Sequence, residues 1–126
     1  MNLNQVTAPS LDLSKAISFY QKLGLELIVE VLPHYARFSC PDGNSTFSIH
    51  KVDELHKGEG VHVYFECEDL DKKVADLIEK GIRFDEKPND KFWLWREARL
   101  KDTDGNQLIL FYGGENRINP PWKIKT

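Results

Sequence analysis

Two short stretches carry most of the side chains in this sequence that are able to do chemistry. In GVHVYFECEDLD (60–71), polar and apolar residues alternate, so His62, Tyr64 and Glu66 share one face of a predicted strand. In KFWLWREARLKD (91–102), alternation groups a second set: Trp93, Trp95, Glu97 and Arg99. Imidazoles bind metals or ligands, carboxylates move protons, and arginines hold carboxylates or phosphates. These residue types predict a binding or catalytic site.

The composition excludes several other classes of function. The chain has 126 residues, enough for one domain with a core, and its 17 basic and 20 acidic residues leave a net charge of -3. No basic stripe indicates nucleic-acid binding, and no apolar run is long enough to span a bilayer. The start lacks a signal-peptide pattern, and Cys40 and Cys67 stand apart, as buried thiols do. We therefore expect a cytoplasmic protein.

The elements that must position these side chains form an internal repeat. DLSKAISFYQKLGLEL (12–27) aligns with DLDKKVADLIEKGIRF (69–84) at a constant offset, since 69 − 12 = 57. Each copy predicts an amphipathic helix that ends at a glycine. The predicted cap is Asp12 or Ser14 in the first copy and Asp69 or Asp71 in the second. The apolar face of the second copy is predicted to contain Val74, Leu77 and Ile78.

Strand-like runs surround each helix in the same order. One precedes each helix and three follow it, at about 2–8, 25–32, 34–40 and 45–52, and then at 61–67, 82–86, 92–101 and 107–112. Asp-Gly-Asn recurs before the last strand of each half, at 42–44 and 104–106, and predicts a tight turn. The plan is therefore βαβββ, twice, in an α+β protein.

This plan resembles the vicinal oxygen chelate superfamily, which includes glyoxalase I, bleomycin-resistance proteins and extradiol dioxygenases. The motifs are DLSKAISFYQKLG in the first helix, HVYFECEDLD in the second half and DTDGN at the final turn. The resemblance implies one domain over residues 1–112, with module one at 1–52, a connector at 53–60 and module two at 61–112. It also implies curved mixed sheets around a cavity, helices on the outer face, and a homodimer. Residues 113–126 are expected to form a tail packed on the domain or on a partner.

Alternation then predicts which side chains line that cavity. The expected ligand-binding set combines aromatic, charged and histidine side chains: Tyr35, Arg37, His50, Tyr64, Glu66, Trp93, Trp95 and Arg99. Such a set suits a small organic ligand with aromatic or anionic character. Alternatively, the tryptophans are core or interface aromatics and the arginines form structural ion pairs. Phe92 is predicted to be core, Leu94 to pack on a helix, and Arg96 to lie near an edge or a helix terminus.

The resemblance also assigns four metal-ligand positions, Gln5, His50, His62 and Ile109. The first three could form an open site for Ni²⁺, Zn²⁺ or Mn²⁺. Ile109 replaces a carboxylate and coordinates nothing, so no cofactor is favoured and His62 is expected to contact a ligand rather than a metal.

Three functions follow from these residues. The favoured one is metal-independent binding of a small molecule, similar to the bleomycin-resistance branch. The alternative is a lyase or isomerase similar to lactoylglutathione lyase, with a metal on Gln5, His50 and His62. A third is a metal-free enzyme in which Glu97 or His62 acts as the acid–base and Arg99 holds an anion. The sequence leaves open whether the protein is an enzyme.

Overall fold

The computed structural model describes residues 1–125 and contains two copies of a βαβββ unit. The first copy comprises β1 (Gln5–Ser10), α1 (Leu13–Leu23), β2 (Glu26–Val31), β3 (Tyr35–Ser39) and β4 (Thr46–Lys51). The second comprises β5 (His62–Glu66), α2 (Leu70–Glu79), β6 (Glu86–Asp90), β7 (Arg96–Lys101) and β8 (Gln107–Tyr112), and a 3₁₀ turn follows at Gly114–Arg117. The predicted α+β class with tandem βαβββ modules is confirmed.

The two copies have the same strand topology. Each forms a mixed four-stranded sheet, in the order β1-β4-β3-β2 in the first and β5-β8-β7-β6 in the second. The first and last strands of each copy pair in parallel, and the remaining pairs are antiparallel. The polypeptide divides into one compact unit of residues 1–61 with 102–106, and a second containing the rest of the described chain.

Both helices begin and end as the repeat predicts. The Asp12 carboxylate accepts a hydrogen bond from the Lys15 N–H, and Asp69 does the same for Lys72 at the start of α2. Gly24 and Gly81 follow the two helices with φ of 111° and 91°. Glycine adopts this left-handed conformation without the steric cost of a Cβ, so both helices stop at these positions.

Each sheet packs one face against its own helix. In the first unit, the Tyr20 ring of α1 lies 5.6 Å from Phe38 and 4.7 Å from Phe47, between ring centroids. In the second, the Arg96 guanidinium meets the Asp71 carboxylate in the first turn of α2, with Nε 3.0 Å from Oδ1. We call the opposite face of each sheet its far face, and the candidate functional side chains lie there.

The segment before β7 differs from its predicted strand. Residues 92–95 form a turn, in which the Lys91 N–H donates to the Trp95 carbonyl and Leu94 has a φ of 67°. Phe92, predicted to be core, is 87% exposed, and Leu94 is half exposed rather than packed on a helix. The sixth strand also begins later than predicted, at Glu86. Alternation fails here because a turn, unlike a strand, does not send successive side chains to opposite faces.

Arg96 lies at a helix terminus, as predicted, since it bridges Asp71 in the first turn of α2 and Asp90. Ile78, predicted for the buried face of α2, is 41% exposed, whereas Val74 and Leu77 are buried, so Ile78 lies at the edge of that face. Trp122 in the tail is also more than half exposed, and the predicted tail extends to Thr126, which lies outside the described residues. Within residues 1–125, no helix is long and apolar enough to cross a membrane.

Candidate functional site

The far face of the first sheet carries a chain of four hydrogen-bonded side chains. Gln5 Nε2 donates to Ser48 Oγ at 2.5 Å, and Ser48 Oγ lies 2.6 Å from the Tyr35 hydroxyl. Arg37 Nε in turn donates to the Tyr35 oxygen at 2.9 Å. The strands fix this order, because Arg37 on β3 is directly opposite Ser48 on β4. Ser48 is 0% exposed, and its hydroxyl oxygen has two hydrogen-bond partners, Gln5 and Tyr35.

This network changes the acidity of Tyr35. Burial by itself raises the pKa of the Tyr35 phenol, but the hydrogen bonds with Ser48 and Arg37 and the Arg37 charge outweigh it. The pKa of Tyr35 therefore lies below its ordinary value. A tyrosine in this state is a stronger hydrogen-bond donor than an isolated phenol.

A buried carboxylate occupies the far face of the second sheet. Glu97 on β7 is 0% exposed, and its Oε2 accepts a hydrogen bond from the Trp93 indole N–H at 2.8 Å. Its Oε1 has no hydrogen bond among the described residues and lies 3.6 Å from an Arg99 guanidinium nitrogen. Arg99 also lies 4.0 Å from Glu86, which pairs with Lys91. The hydrogen bonds from Lys91 and Asn89 lower the pKa of Glu86.

Three aromatic rings pack together on the same face. Trp95 stacks on Phe111 with ring centroids 4.6 Å apart, and Tyr64 meets both rings edge-on at 5.9 and 5.5 Å. Strand register explains why these rings meet. Phe111 on β8 is opposite Glu97 on β7 and Glu66 on β5, and Trp95 and Tyr64 lie two residues before those two positions. Tyr64 remains 43% exposed, so part of this aromatic surface is accessible.

The segment after β8 is attached to this face. The Glu66 carboxylate accepts hydrogen bonds from the Gly113 and Gly114 N–H groups at 2.9 and 3.1 Å. Trp95 Nε1 donates to the Asn116 carbonyl at 3.2 Å, and Arg117 Nε lies 3.8 Å from Glu66. Glu66 and Trp95 therefore both hold the segment after β8 against the second sheet.

Strand register identifies equivalent positions in the two repeats. His62 pairs with Gln107 in the parallel β5–β8 ladder, and Ile109 follows two residues later. Gln5 pairs with Thr46 in the parallel β1–β4 ladder, and Ser48 follows two residues later. By this equivalence Ser48, rather than His50, corresponds to Ile109.

These residues do not match the ligand set that the family resemblance implies. Ile109 is 1% exposed and has no donor atom, and Ser48 is held between Gln5 and Tyr35. Gln5 uses both ends of its amide, because its oxygen accepts a hydrogen bond from Thr46. Among residues 1–125, no group of three or more His, Cys, Asp or Glu side chains is arranged to hold a metal ion. We therefore derive no chemical step through a metal.

The two predicted histidines lie at strand ends. His50 is exposed on β4, opposite Tyr35 on β3. His62 begins β5 and is partly exposed. Within the first unit, the fold groups the predicted residues Gln5, Tyr35 and Arg37; within the second, it groups Trp93 with Glu97 and Arg99, and Tyr64 with Trp95. The roles of these residues remain predictions.

The predicted site contained His50 and not Ser48, because alternation puts both residues on one face of β4 and does not choose between them. A backbone bond from the Cys40 N–H to the Ser45 carbonyl closes the β3–β4 turn, whereas the corresponding bond of the β7–β8 turn joins Asp102 to Asn106. The first turn is thus one residue longer. Counting from the turn glycines therefore misaligns the last strands by one position. Only the pairing of the strands places Ser48 beside Gln5.

The sequence and the fold of this chain are similar to those of one family of known proteins. The family model described as Glyoxalase/Bleomycin resistance protein/Dioxygenase superfamily matches residues 2–110. A relative named trivalent organoarsenical cleaving enzyme, from Bacillus sp. (strain MD1), is 32% identical over 87% of this chain and 74% of its own length. A glyoxalase/bleomycin resistance protein/dioxygenase structure from Nocardioides has a TM-score of 0.78 at 22% identity, covering 99% of this chain and 90% of that one. A bleomycin resistance determinant encoded on transposon Tn5 has a TM-score of 0.76 at 18% identity, covering 89% of this chain and 98% of that one.

Proposed function

The chain belongs to the Glyoxalase/Bleomycin resistance protein/Dioxygenase superfamily, and within it we propose that this protein binds a small organic molecule without a bound metal ion. The family match confirms the resemblance inferred from the motifs. Members of one fold carry out different chemistry, so the proposal depends on the site residues rather than on the family.

One observation carries the proposal. The equivalent positions Ser48 and Ile109, fixed by register in the two sheets, hold a hydrogen-bonded hydroxyl and a buried aliphatic side chain. Neither is a carboxylate or an imidazole, the side chains that hold divalent ions in sites of this kind. Losing two members of a small ligand set removes most of the affinity for a metal.

The second sheet supplies the binding surface of the proposal. Tyr64 exposes part of an aromatic cluster, and Trp93 and Arg99 flank the Glu97 carboxylate. Aromatic area contributes affinity, and the few charged groups set the orientation of the ligand. Glu97 is fully buried, so its carboxylate supplies negative charge beside Trp93 and Arg99 rather than a direct ligand contact. His62 and Glu66 are proposed as further ligand contacts on the second sheet, and His50 as a separate ligand contact on the first sheet.

A thermal-shift screen of aromatic acids, amines and neutral aromatic compounds tests this function. We expect at least one compound to raise the unfolding temperature in wild-type protein. Trp93→Leu and Arg99→Gln should reduce the shift, whereas Arg83→Gln, an exposed arginine on the same chain, should not. A full series without any shift would contradict the proposal.

A metal-dependent lyase or isomerase is the second candidate, because the Bacillus relative is named a cleaving enzyme and Gln5 and His62 are retained. It predicts bound Ni²⁺, Zn²⁺ or Mn²⁺. Elemental analysis of untagged wild-type and His62→Ala protein distinguishes the two candidates. One ion per chain, lost in the variant, favours the lyase and overturns metal-independent binding. Cytoplasmic location and a homodimer remain part of the proposal, and size-exclusion chromatography with light scattering tests the dimer.

A further inference from the structure

We propose that Tyr35, Arg37 and Ser48 form a binding site for a carboxylate group on the far face of the first sheet. The inference rests on the proposed function, since it names a chemical class of small molecule that the protein binds. It depends on residues of the first unit only, and not on the Glu97 face.

The guanidinium supplies the charge of this site. Within residues 1–125, Arg37 contacts Tyr35 through its Nε hydrogen bond and lies with Cζ 5.4 Å from the centroid of that ring. No carboxylate of the described chain pairs with it, and its two terminal nitrogens have no hydrogen bond there. Arg96 and Arg99, by contrast, both pair with acidic side chains. The terminal N–H groups of Arg37 therefore form an uncompensated planar fork, which fits the two oxygens of a carboxylate.

The hydroxyl pair supplies one more donor. Tyr35 and Ser48 share a single hydrogen bond, so one of their two hydroxyl hydrogens lies between the oxygens. Each oxygen already accepts from another side chain, Tyr35 from Arg37 and Ser48 from Gln5. Whichever hydroxyl donates to the other, one hydrogen remains, and its further partner must be an acceptor. Because Ser48 is fully buried, this hydrogen faces a ligand when Ser48 donates to Tyr35 and the phenolic hydrogen is the one that remains. An anion then accepts from Tyr35 and from the Arg37 fork together.

The site is held in place before any ligand arrives. Ser48 is fully buried, and three hydrogen bonds between 2.5 and 2.9 Å connect four side chains from three adjacent strands. Fixed donors lose little conformational entropy on binding, which favours affinity. No acidic side chain takes part in this network of four residues. Its charge comes from Arg37 alone, so it attracts an anionic group.

Titration of ¹⁵N-labelled protein with sodium benzoate and with neutral benzamide tests the inference by NMR at constant ionic strength. The two probes share a ring and differ in charge. We expect benzoate to bind at least tenfold more tightly than benzamide and to shift the Arg37 Nε–Hε resonance. Arg37→Gln should remove that preference, and Tyr35→Phe should weaken benzoate binding about fivefold. Arg83→Gln removes the same charge from an exposed position and should leave benzoate binding unchanged.

The other outcomes separate the two proposals. If benzamide binds as tightly as benzoate, or Arg37→Gln binds benzoate normally, the carboxylate site is overturned while small-molecule binding stands. The same holds if inorganic phosphate binds and benzoate does not. If these probes and the whole thermal-shift series fail to bind, the proposed function falls, and this inference falls with it. Comparison of circular dichroism spectra checks that each variant is folded.

Discussion

The Tyr20 hydroxyl donates a 2.6 Å hydrogen bond to the Asp102 carboxylate, which connects α1 to the turn between β7 and β8. Tyr20 is 0% exposed, and Asp102 also accepts hydrogen bonds from the backbone N–H groups of Asp104 and Asn106. The Asn106 amide extends this contact to the Pro9 carbonyl at 3.0 Å. The DTDGN motif therefore does more than reverse the chain, because it is part of the core of the first unit.

Removing this hydroxyl should destabilise the protein. Tyr20→Phe keeps the aromatic packing on Phe38 and Phe47 but leaves the buried Asp102 Oδ2 without one of its donors. We expect the free energy of unfolding to fall by about 2 kcal/mol. Urea denaturation followed by circular dichroism measures the change. Tyr112→Phe, at a half-exposed position, is the matched control and should change stability by less than about 0.5 kcal/mol. Equal stability of wild type and Tyr20→Phe would contradict the role of this bond.

The same bond predicts instability at high pH. Burial, and then the adjacent Asp102 and Asp104 carboxylates, raise the pKa of Tyr20 far above its ordinary value of 10.0. The folded state therefore keeps the phenolic proton that the unfolded chain releases above about pH 10. The stabilising contribution is complete below that pH and is lost as the pH rises further. Stability measured from pH 8 to 11 should fall less steeply in Tyr20→Phe than in wild type, and identical slopes would refute this assignment.

Tyr35 should respond to pH in the opposite sense. Hydrogen bonds with Ser48 and Arg37 lower its pKa despite partial burial, so its tyrosinate forms at a lower pH than that of an ordinary phenol. Alkaline titration followed by tyrosinate absorbance should begin at a higher pH in Tyr35→Phe than in wild type. Arg37→Gln should also delay the onset, because it removes both the charge and a donor. An unchanged onset in both variants would show that the network does not exist in solution.

A carboxylate introduced at the buried position 109 of β8 should destabilise the protein. Ile109 is 1% exposed on β8 and lies opposite Arg99 on β7. Arg99 already has the Glu86 and Glu97 carboxylates beside it, so Ile109→Glu buries a third negative charge near a single guanidinium. We expect a loss of roughly 3 kcal/mol or more in the free energy of unfolding. Tyr112→Glu on the same strand is the control and should cost far less, since Tyr112 is 45% exposed. Wild-type stability of Ile109→Glu would mean that residues near position 109 supply a counter-charge.

The sequence alone determined the local features of this protein. Helix caps and glycine stops are set by the residues themselves, so the repeat of 57 residues located both helices and both βαβββ units. Alternation also placed Tyr35 and Arg37 on one side of their strand, opposite Phe38, because the side-chain period of a strand is fixed by its geometry.

The tertiary structure decided what depends on pairing between distant segments. Gln5 pairs with Thr46 in the parallel β1–β4 ladder, and this register puts Ser48 rather than His50 beside Gln5. The turn at 92–95 exposes Phe92 and brings the Trp93 indole to the Glu97 carboxylate, although the local pattern reads as one strand. The Tyr20–Asp102 bond joins residues 82 positions apart. No local pattern encodes such contacts, because they arise only when the strands pair and the helix packs on them.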